Sequence, residues 1–340
     1  MCTRLGVKAQ AFFSSKKWQH IKMNIIEFGD CRLTMRKWKE QGIKAQTCVT
    51  SPPYYGLRDY GHDGQIGLEE TPEEYIAAMV EVFRCVRDVL EDDGTLWLNI
   101  GDSWASTAQG TFNAPQQIAK DNANVYANFR PKVGLPPKNL IGIPWRLAFA
   151  LQSDGWILRQ DIIWHKPNPF PESVKDRCTK SHEYIFLLSK KQKYFYDCDA
   201  IREKSVAEYD PNYVSPKKDW AEFGGRRSRE VSNNGQSEGW AIQNTAPQAP
   251  ENGINKRSVW TVNTKPYAGA HFAVFPQELI EPCILAGAPV GGIVLDPFMG
   301  SGTTAQVSQH LGRQYLGCEL NPEYKPLQDK RISQLSLVLE

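Results

Sequence analysis

The segment Leu295-Asp296-Pro297-Phe298-Met299-Gly300-Ser301-Gly302-Thr303-Thr304 constrains this chain more than any other. A β-rich run enters it, two glycines let the backbone turn closely, and a helical pattern follows. The turn can therefore offer its N–H groups to a ligand at the positive end of a helix. A short strand at residues 315–318 comes next and leads into Glu319. Strand, glycine turn, helix, strand and acid in that order belong to an α/β sheet whose ligand lies outside the carboxyl ends of the strands. An acid at that place accepts hydrogen bonds from a ribose diol, which points to a nucleoside-type cofactor. A Walker phosphate loop needs a Lys directly before its Ser or Thr. Here Gly302 runs straight into Thr303, so a nucleotide hydrolase lacks its main positive charge.

The remaining pattern agrees with a doubly wound sheet. Residues 47–50 read as the end of a buried strand, and 73–90 carry apolar side chains at helical spacing (Ile76, Val80, Phe83, Val86, Leu90). Asp93-Gly94 is expected to stop that helix before a strand at 95–100. A helix at 141–153 and strands at 159–164, 182–189 and 292–295 complete the alternation. Two stretches break it. Residues 103–138, rich in Ala, Gln, Asn and Pro, are too long for an ordinary connection and read as a flap or long loop; residues 204–257 read as an insertion with a basic knot at Arg226, Arg227 and Arg229.

Of the 340 residues, 41% are hydrophobic and 23% charged, ample for a large core, while 40 Lys and Arg against 38 Asp and Glu leave a net charge of only +2. Contact with a nucleic acid must then come from local clustering of positive charge. The eight cysteines form no C-x-x-C pair, so neither a zinc ribbon nor a disulfide framework is indicated, and a reducing cytoplasm is expected. Cys283 reads as core. No apolar run reaches the roughly 20 residues of a membrane helix. Residues 1–23 hold five basic side chains and no acid, without the apolar stretch of a signal peptide, and are expected to be a flexible leader.

A second turn stands near the other end of the chain. In Val49-Thr50-Ser51-Pro52-Pro53-Tyr54-Tyr55 two prolines fix φ and remove N–H donors, so the turn is stiff and carries free carbonyls. Ser51 adds a hydroxyl and Tyr54 a flat ring. Together they suit a planar aromatic amine, its NH₂ held in plane by acceptors while the ring stacks.

With Ser51-Pro52-Pro53-Tyr54 early, Phe298-Met299-Gly300-Ser301-Gly302 late and Glu319 after it, the chain resembles the β-class exocyclic-amino DNA methyltransferases, in which the catalytic motif precedes the cofactor motif. The resemblance covers residues 24–340 and implies a Rossmann-like fold: a mixed, mostly parallel seven-stranded sheet with circularly permuted motif order. Residues 24–203 and 258–340 would form the catalytic core and 204–257 a target-recognition region. It further implies S-adenosyl-L-methionine as cofactor, S-adenosyl-L-homocysteine as product and no metal. Asp30, Phe275, Asp296, Phe298, Gly300, Gly302, Thr303 and Glu319 are the implied cofactor residues. Residues 164–168, 176–177 and 182–184 resemble the lining of the target-base pocket, and 258–260 with 271–276 the stretch around the methionine end of the cofactor.

The implied reaction transfers a methyl group to the exocyclic amine of a flipped base in double-stranded DNA. Ser51 and the Pro52 carbonyl would hold the amine, Tyr54 would stack on the base, and no covalent enzyme intermediate is needed. Arg58, Lys166, Arg177, Arg226, Arg227 and Arg229 are the expected DNA contacts. Ser at the head of the motif is the family's usual mark of cytosine-N4 enzymes and Asp that of adenine-N6 enzymes, so cytosine N4 is the expected target and adenine N6 the alternative. A catalytically silent DNA-binding protein with the same fold is the alternative of another class. The resemblance allows a cognate restriction endonuclease as partner and leaves the oligomeric state open.

Overall fold

The computed structural model describes residues 23–57, 59–105, 132–204, 253–265 and 275–333. Its two compact units are residues 1–197 with 258–340, and residues 198–257.

The larger unit is built on one sheet. Among the described residues the strands are β1 (Ile25–Phe28), β2 (Ala45–Thr50), β3 (Leu90–Ile100), β4 (Ile157–His165), β5 (His182–Ser189), β6 (Val259–Thr261), β7 (Ile293–Asp296) and β8 (Gln314–Glu319). Their order is β1-β8-β7-β2-β3-β5-β4-β6, with β5 antiparallel to both neighbours and every other pair parallel. The eighth strand is a correction to the expected seven. The additional one is formed by residues 259–261, which pair with β4 at the edge of the sheet.

The helices are α1 (Cys31–Glu40), α2 (Pro72–Val89), α3 (Ile143–Ser153), α4 (Gln277–Gly287), α5 (Thr303–His310) and α6 (Lys325–Ser333). α2 shows why these residues form a helix here. Thr71 accepts from the Glu74 N–H while the Glu74 carboxylate accepts from the Thr71 N–H, and Pro72 stands at the first turn, where its missing N–H costs nothing. Its buried stripe is Tyr75, Met79, Val82, Phe83 and Val86, so the core face is turned slightly from the one the apolar spacing predicted; Ile76 and Val80 are half-buried. Burial of each such side chain contributes about 1.5–3 kcal/mol. The helix ends at Val89. Asp93-Gly94 does not stop it but lies in an irregularity of β3, where Ala45 pairs with Leu90 and Thr47 already with Thr95.

Alternation along β2 and β3 sorts the layers. Cys48, Leu96 and Leu98 join one core with α1, α2 and α3, while Thr47 and Trp97 face α4 on the other side. At Gly287 of α4 a β-carbon would stand 2.6 Å from Thr47 Oγ1 and 2.9 Å from Trp97 Nε1, so glycine permits that close approach. Cys283 is buried, as expected. The bases of the two long polar stretches are ordered. Ser103 and Ala105 bond to Ile141, Asn139 and Lys138, bringing both ends of the 103–138 stretch together, and in the smaller unit Glu203 pairs with Ile254.

Candidate active site

β2 and β7 are hydrogen-bonded neighbours, with Cys48 opposite Leu295, so Thr50 and Asp296 stand side by side where their chains leave the sheet. From there β2 continues through α2 to β3 on one side, and β7 through α5 to β8 on the other. The two turns therefore flank the topological switch point, where an open sheet leaves a crevice.

At the β7 end, Asp296 is 1% exposed. Its carboxylate accepts from Thr50 Oγ1 at 2.6 Å, Thr304 Oγ1 at 2.6 Å and the Phe298 N–H at 3.0 Å. Burial pushes its pKa up to about 6, against the pull of those three donors. One carboxylate thus ties β2, the glycine turn and α5 together. Gly300 and Gly302 have φ of 54° and 87°, the left-handed region that glycine enters without strain. The Gly300 N–H donates to Glu319 Oε2 at 2.7 Å and the Asn321 N–H to Oε1 at 2.9 Å. Burial raises the Glu319 pKa while these N–H groups draw it down. From α6, Gln328 Nε2 donates to Gly300 O at 2.7 Å and Arg331 donates to Thr303 Oγ1.

At the β2 end, Tyr75 Oη donates to Pro53 O at 2.8 Å, fixing the turn from α2. Tyr54 lies across the C-terminal end of β3, where a β-carbon on Gly101 would come within 2.7 Å of its ring. Its hydroxyl donates to Glu183 Oε2 at 2.7 Å, and Glu183 is ion-paired with Lys166. Asn99 Nδ2 binds the Tyr184 carbonyl at 3.1 Å and stands 3.4 Å from the same Glu183 oxygen. Burial, then the Glu183 charge, holds the Tyr54 phenol well above its ordinary range, so it remains a donor at neutral pH.

One cavity of about 670 Å³ joins the two turns. It is bordered by Ser51, Pro52, Pro53, Tyr54, Asp30, Lys166, Phe275, Phe298, Gly300, Thr303 and Glu319, eleven of the residues expected from sequence. Asp296 and Gly302 do not line it: Asp296 lies beneath the turn, and Gly302 caps α5 against Gln328. Asp30 caps α1, and both its oxygens are engaged by Arg32, which keeps it below the usual carboxylate range. Lys166 lines the cavity and is ion-paired with Glu183. Arg177 pairs with Glu172 and lies 3.6 Å over the Trp104 ring, away from the cavity lining. Arg58, Arg226, Arg227 and Arg229 lie outside the described residues. Glu183 falls in the 182–184 segment that resembles the base-pocket lining, whereas sequence reasoning did not single out Tyr75, Gln328 or Arg331, whose roles depend on partners 22 to 28 residues away.

The cleft suits a nucleoside with a polar tail. Glu319 keeps unshared lone pairs toward the cavity after accepting its two N–H bonds, and Ser301 Oγ, buried at the cavity wall, has no hydrogen-bond partner. Phe275 and Phe298 add flat apolar surface. Among the described residues no group of three or more His, Cys, Asp or Glu is placed to hold a metal, and no helix is long and apolar enough to cross a membrane.

A mixed sheet with a glycine turn and a proline turn on adjacent strands, and one cavity between them, defines a nucleoside-cofactor-dependent transferase of the methyltransferase fold. Solved structures share that fold. The PvuII DNA methyltransferase (cytosine-N4-specific) matches with a TM-score of 0.56 at 16% identity over 91% of this chain and 86% of its own. A DNA modification methylase of Thermus thermophilus, in complex with S-adenosyl-L-methionine, matches at 0.52 and 22% over 91% and 93%. Residues 45–330 match the DNA methylase family of N6 and N4 methyltransferases. The chain is 50% identical to the type II methyltransferase M.SmaI of Serratia marcescens over 307 residues, 89% of this chain and 90% of that protein. It is 47% identical to M.Cfr9I of Citrobacter freundii over 304 residues, 89% and 86%. The chain belongs to the DNA methylase family: it is an exocyclic-amino DNA methyltransferase that uses S-adenosylmethionine and acts on double-stranded DNA.

Proposed function

We propose that the base methylated is cytosine, at N4, and that the observation carrying this reading is Ser51 at the head of the proline turn, on the wall of the shared cavity. Its neutral hydroxyl can accept from an amine N–H and donate to the ring nitrogen beside it, which fits the N4–N3 edge of cytosine and the N6–N1 edge of adenine alike; Ser rather than Asp at the head of the motif, the family's usual mark of cytosine-N4 enzymes, is what favours cytosine. Pro53 O is committed to Tyr75, so Pro52 O is the carbonyl we assign as the second acceptor for the amine. Two acceptors in this arrangement turn the nitrogen lone pair out of conjugation and aim it across the cavity, while Tyr54 stacks on the flipped base and offsets part of the unstacking cost. S-adenosylmethionine supplies an electrophilic methyl group on a sulfonium. On this reading Glu319 holds its ribose, Phe298 its ring, and Gly300 and Ser301 line the approach to its polar end. The amine is a weak nucleophile, so alignment by Ser51 and Pro52 is the main contribution of this chain.

Residues 204–257 are the region to which we assign target recognition, with Arg226, Arg227 and Arg229 as DNA contacts; Arg58 is assigned to the phosphate beside the flipped base. The relatives' type II names favour pairing with a restriction endonuclease and a cytoplasmic site of action. The test is sequencing of DNA from a host expressing the protein, by a method that separates N4-methylcytosine from N6-methyladenine. N4-methylcytosine at one recurrent sequence is expected; N6-methyladenine there would overturn the base assignment. Deleting residues 226–229 is expected to remove the site preference, and an unaltered methylation pattern would place recognition elsewhere.

A further inference from the structure

Glu183 is a charged group inside the cavity that the methyl-transfer reading does not use. It lies in β5, opposite Trp164 of β4, and Lys166 follows that strand. Both charged side chains are 16% exposed. One Glu183 oxygen takes the Tyr54 hydroxyl at 2.7 Å, and the other takes the Lys166 ammonium, which stands 4.2 Å from the centre of the Trp164 ring. The carboxyl carbon is also close to Gly101, where a β-carbon would stand 3.3 Å from it and 2.7 Å from the Tyr54 ring. Tyr54 is thus gripped at its hydroxyl by Glu183 and supported along its edge by a residue with no side chain. A phenyl ring on a proline-stiffened turn still rotates about χ1 and χ2, and nothing in the Ser51-Pro52-Pro53 backbone fixes those angles.

We propose that Glu183 is a positioning residue for base methylation: it fixes the plane of the Tyr54 ring, and Lys166 keeps its carboxylate ionised for that purpose. The proposal rests on the reading of Tyr54 as the face that stacks on the flipped base. A buried carboxylate left alone takes up a proton and loses one of its acceptor sites. Burial raises the Glu183 pKa, and the Lys166 charge and hydrogen bond, the Tyr54 hydroxyl and the Lys180 charge together bring it below its ordinary value. His182 and Lys180 are the other titratable groups facing it, and both have lowered pKa values, burial being the first cause in each. The Lys166–Glu183 pair therefore puts a fixed negative acceptor at the rim of the base site. It gives no base for the reaction, since a carboxylate held low is a poor proton acceptor.

The test is a double-mutant cycle on the full chain with a DNA duplex bearing the host-derived methylation site. Tyr54→Phe and Glu183→Gln are each expected to lower single-turnover methylation about tenfold, in line with a slightly misplaced reacting group. Both variants are expected to retain the dissociation constant of S-adenosylmethionine. The double variant should fall no further than either single one, whereas multiplying losses would mean that Glu183 acts apart from Tyr54 and would overturn the proposal. Lys166→Met supplies the second readout. Without its counter-charge Glu183 is expected to titrate higher, so the acid limb of the rate profile should move up by at least one pH unit; superimposable profiles would also overturn it. If Glu183→Gln does not fold, as judged by its melting transition, Tyr54→Phe and Lys166→Met decide the question. Failure of the underlying reading is distinguishable, because then Tyr54→Ala would leave the rate intact.

Discussion

The two turns that meet at the switch point are neighbours in the sheet and are held in opposite ways. The glycine turn is fixed through its backbone: the Gly300 N–H on Glu319, the Gly300 carbonyl on Gln328, and the Phe298 N–H on Asp296. The proline turn has no N–H at positions 52 and 53, and is held by side chains: Tyr75 on the Pro53 carbonyl and Glu183 on the Tyr54 hydroxyl. The difference follows from what each turn presents. A cofactor that is bound whole needs close backbone approach, which glycine allows. A base that enters by flipping needs a stiff edge and a flat face, which Pro and Tyr provide. Binding and turnover should therefore be separable by mutation.

The largest expected effect is on the proline side. Tyr54→Ala should lower turnover about a hundredfold, the cost of a misplaced reacting group, while leaving the calorimetric affinity for S-adenosylmethionine within about twofold. Equal loss of both would erase the distinction between the turns. On the glycine side Glu319→Ala should do the reverse. Loss of charge-assisted hydrogen bonds worth about 1.5–3 kcal/mol weakens cofactor binding roughly ten- to hundredfold, with the rate at saturating cofactor nearly kept. An unchanged dissociation constant would remove Glu319 from the site.

Asp296 belongs to both sides and is expected to show itself in stability. Its folded pKa of about 6 lies above the 3.8 of a free Asp, so the folded state binds the proton more tightly. Its contribution is then fully present below pH 3.8 and is lost as pH rises to about 6, a change on the order of 3 kcal/mol. Asp296→Asn, which keeps an oxygen for Thr50 and Phe298, should flatten this part of the urea-unfolding profile between pH 4 and pH 7. A slope as steep as in the unmodified chain would assign it to other groups. The smallest effect is expected for Gln328→Ala. It strands the Gly300 carbonyl and should weaken cofactor binding about fivefold, equivalent to about 1 kcal/mol, measured by the same calorimetry.

These contrasts also mark what could be read along the chain. The glycine turn was legible because its parts are local: strand, turn and helix lie within consecutive residues, and Glu319 closes the next strand. The proline turn was legible as a stiff acceptor edge. The boundary between α2 and β3 was misjudged, because Asp93-Gly94 has the chemistry of a helix stop while pairing with β2 carries the strand back to Leu90. Asp296, a cofactor residue by resemblance, lies beneath the turn and outside the cavity lining. Its three donors come from Thr50, Phe298 and Thr304, and the first of these is 246 residues away.

By itself the sequence determined the α/β class, the two turns and the chemistry each can offer, because those depend on residue type and spacing over a few positions. The tertiary structure decided which groups face the cavity and which lie beneath it. It paired Lys166 with Glu183, put Arg177 against Trp104, and set Glu183 at the end of the Tyr54 ring. The physical reason is that a charge's role is set by the partner it meets on leaving water. In this chain those partners come from strands and helices far apart in sequence.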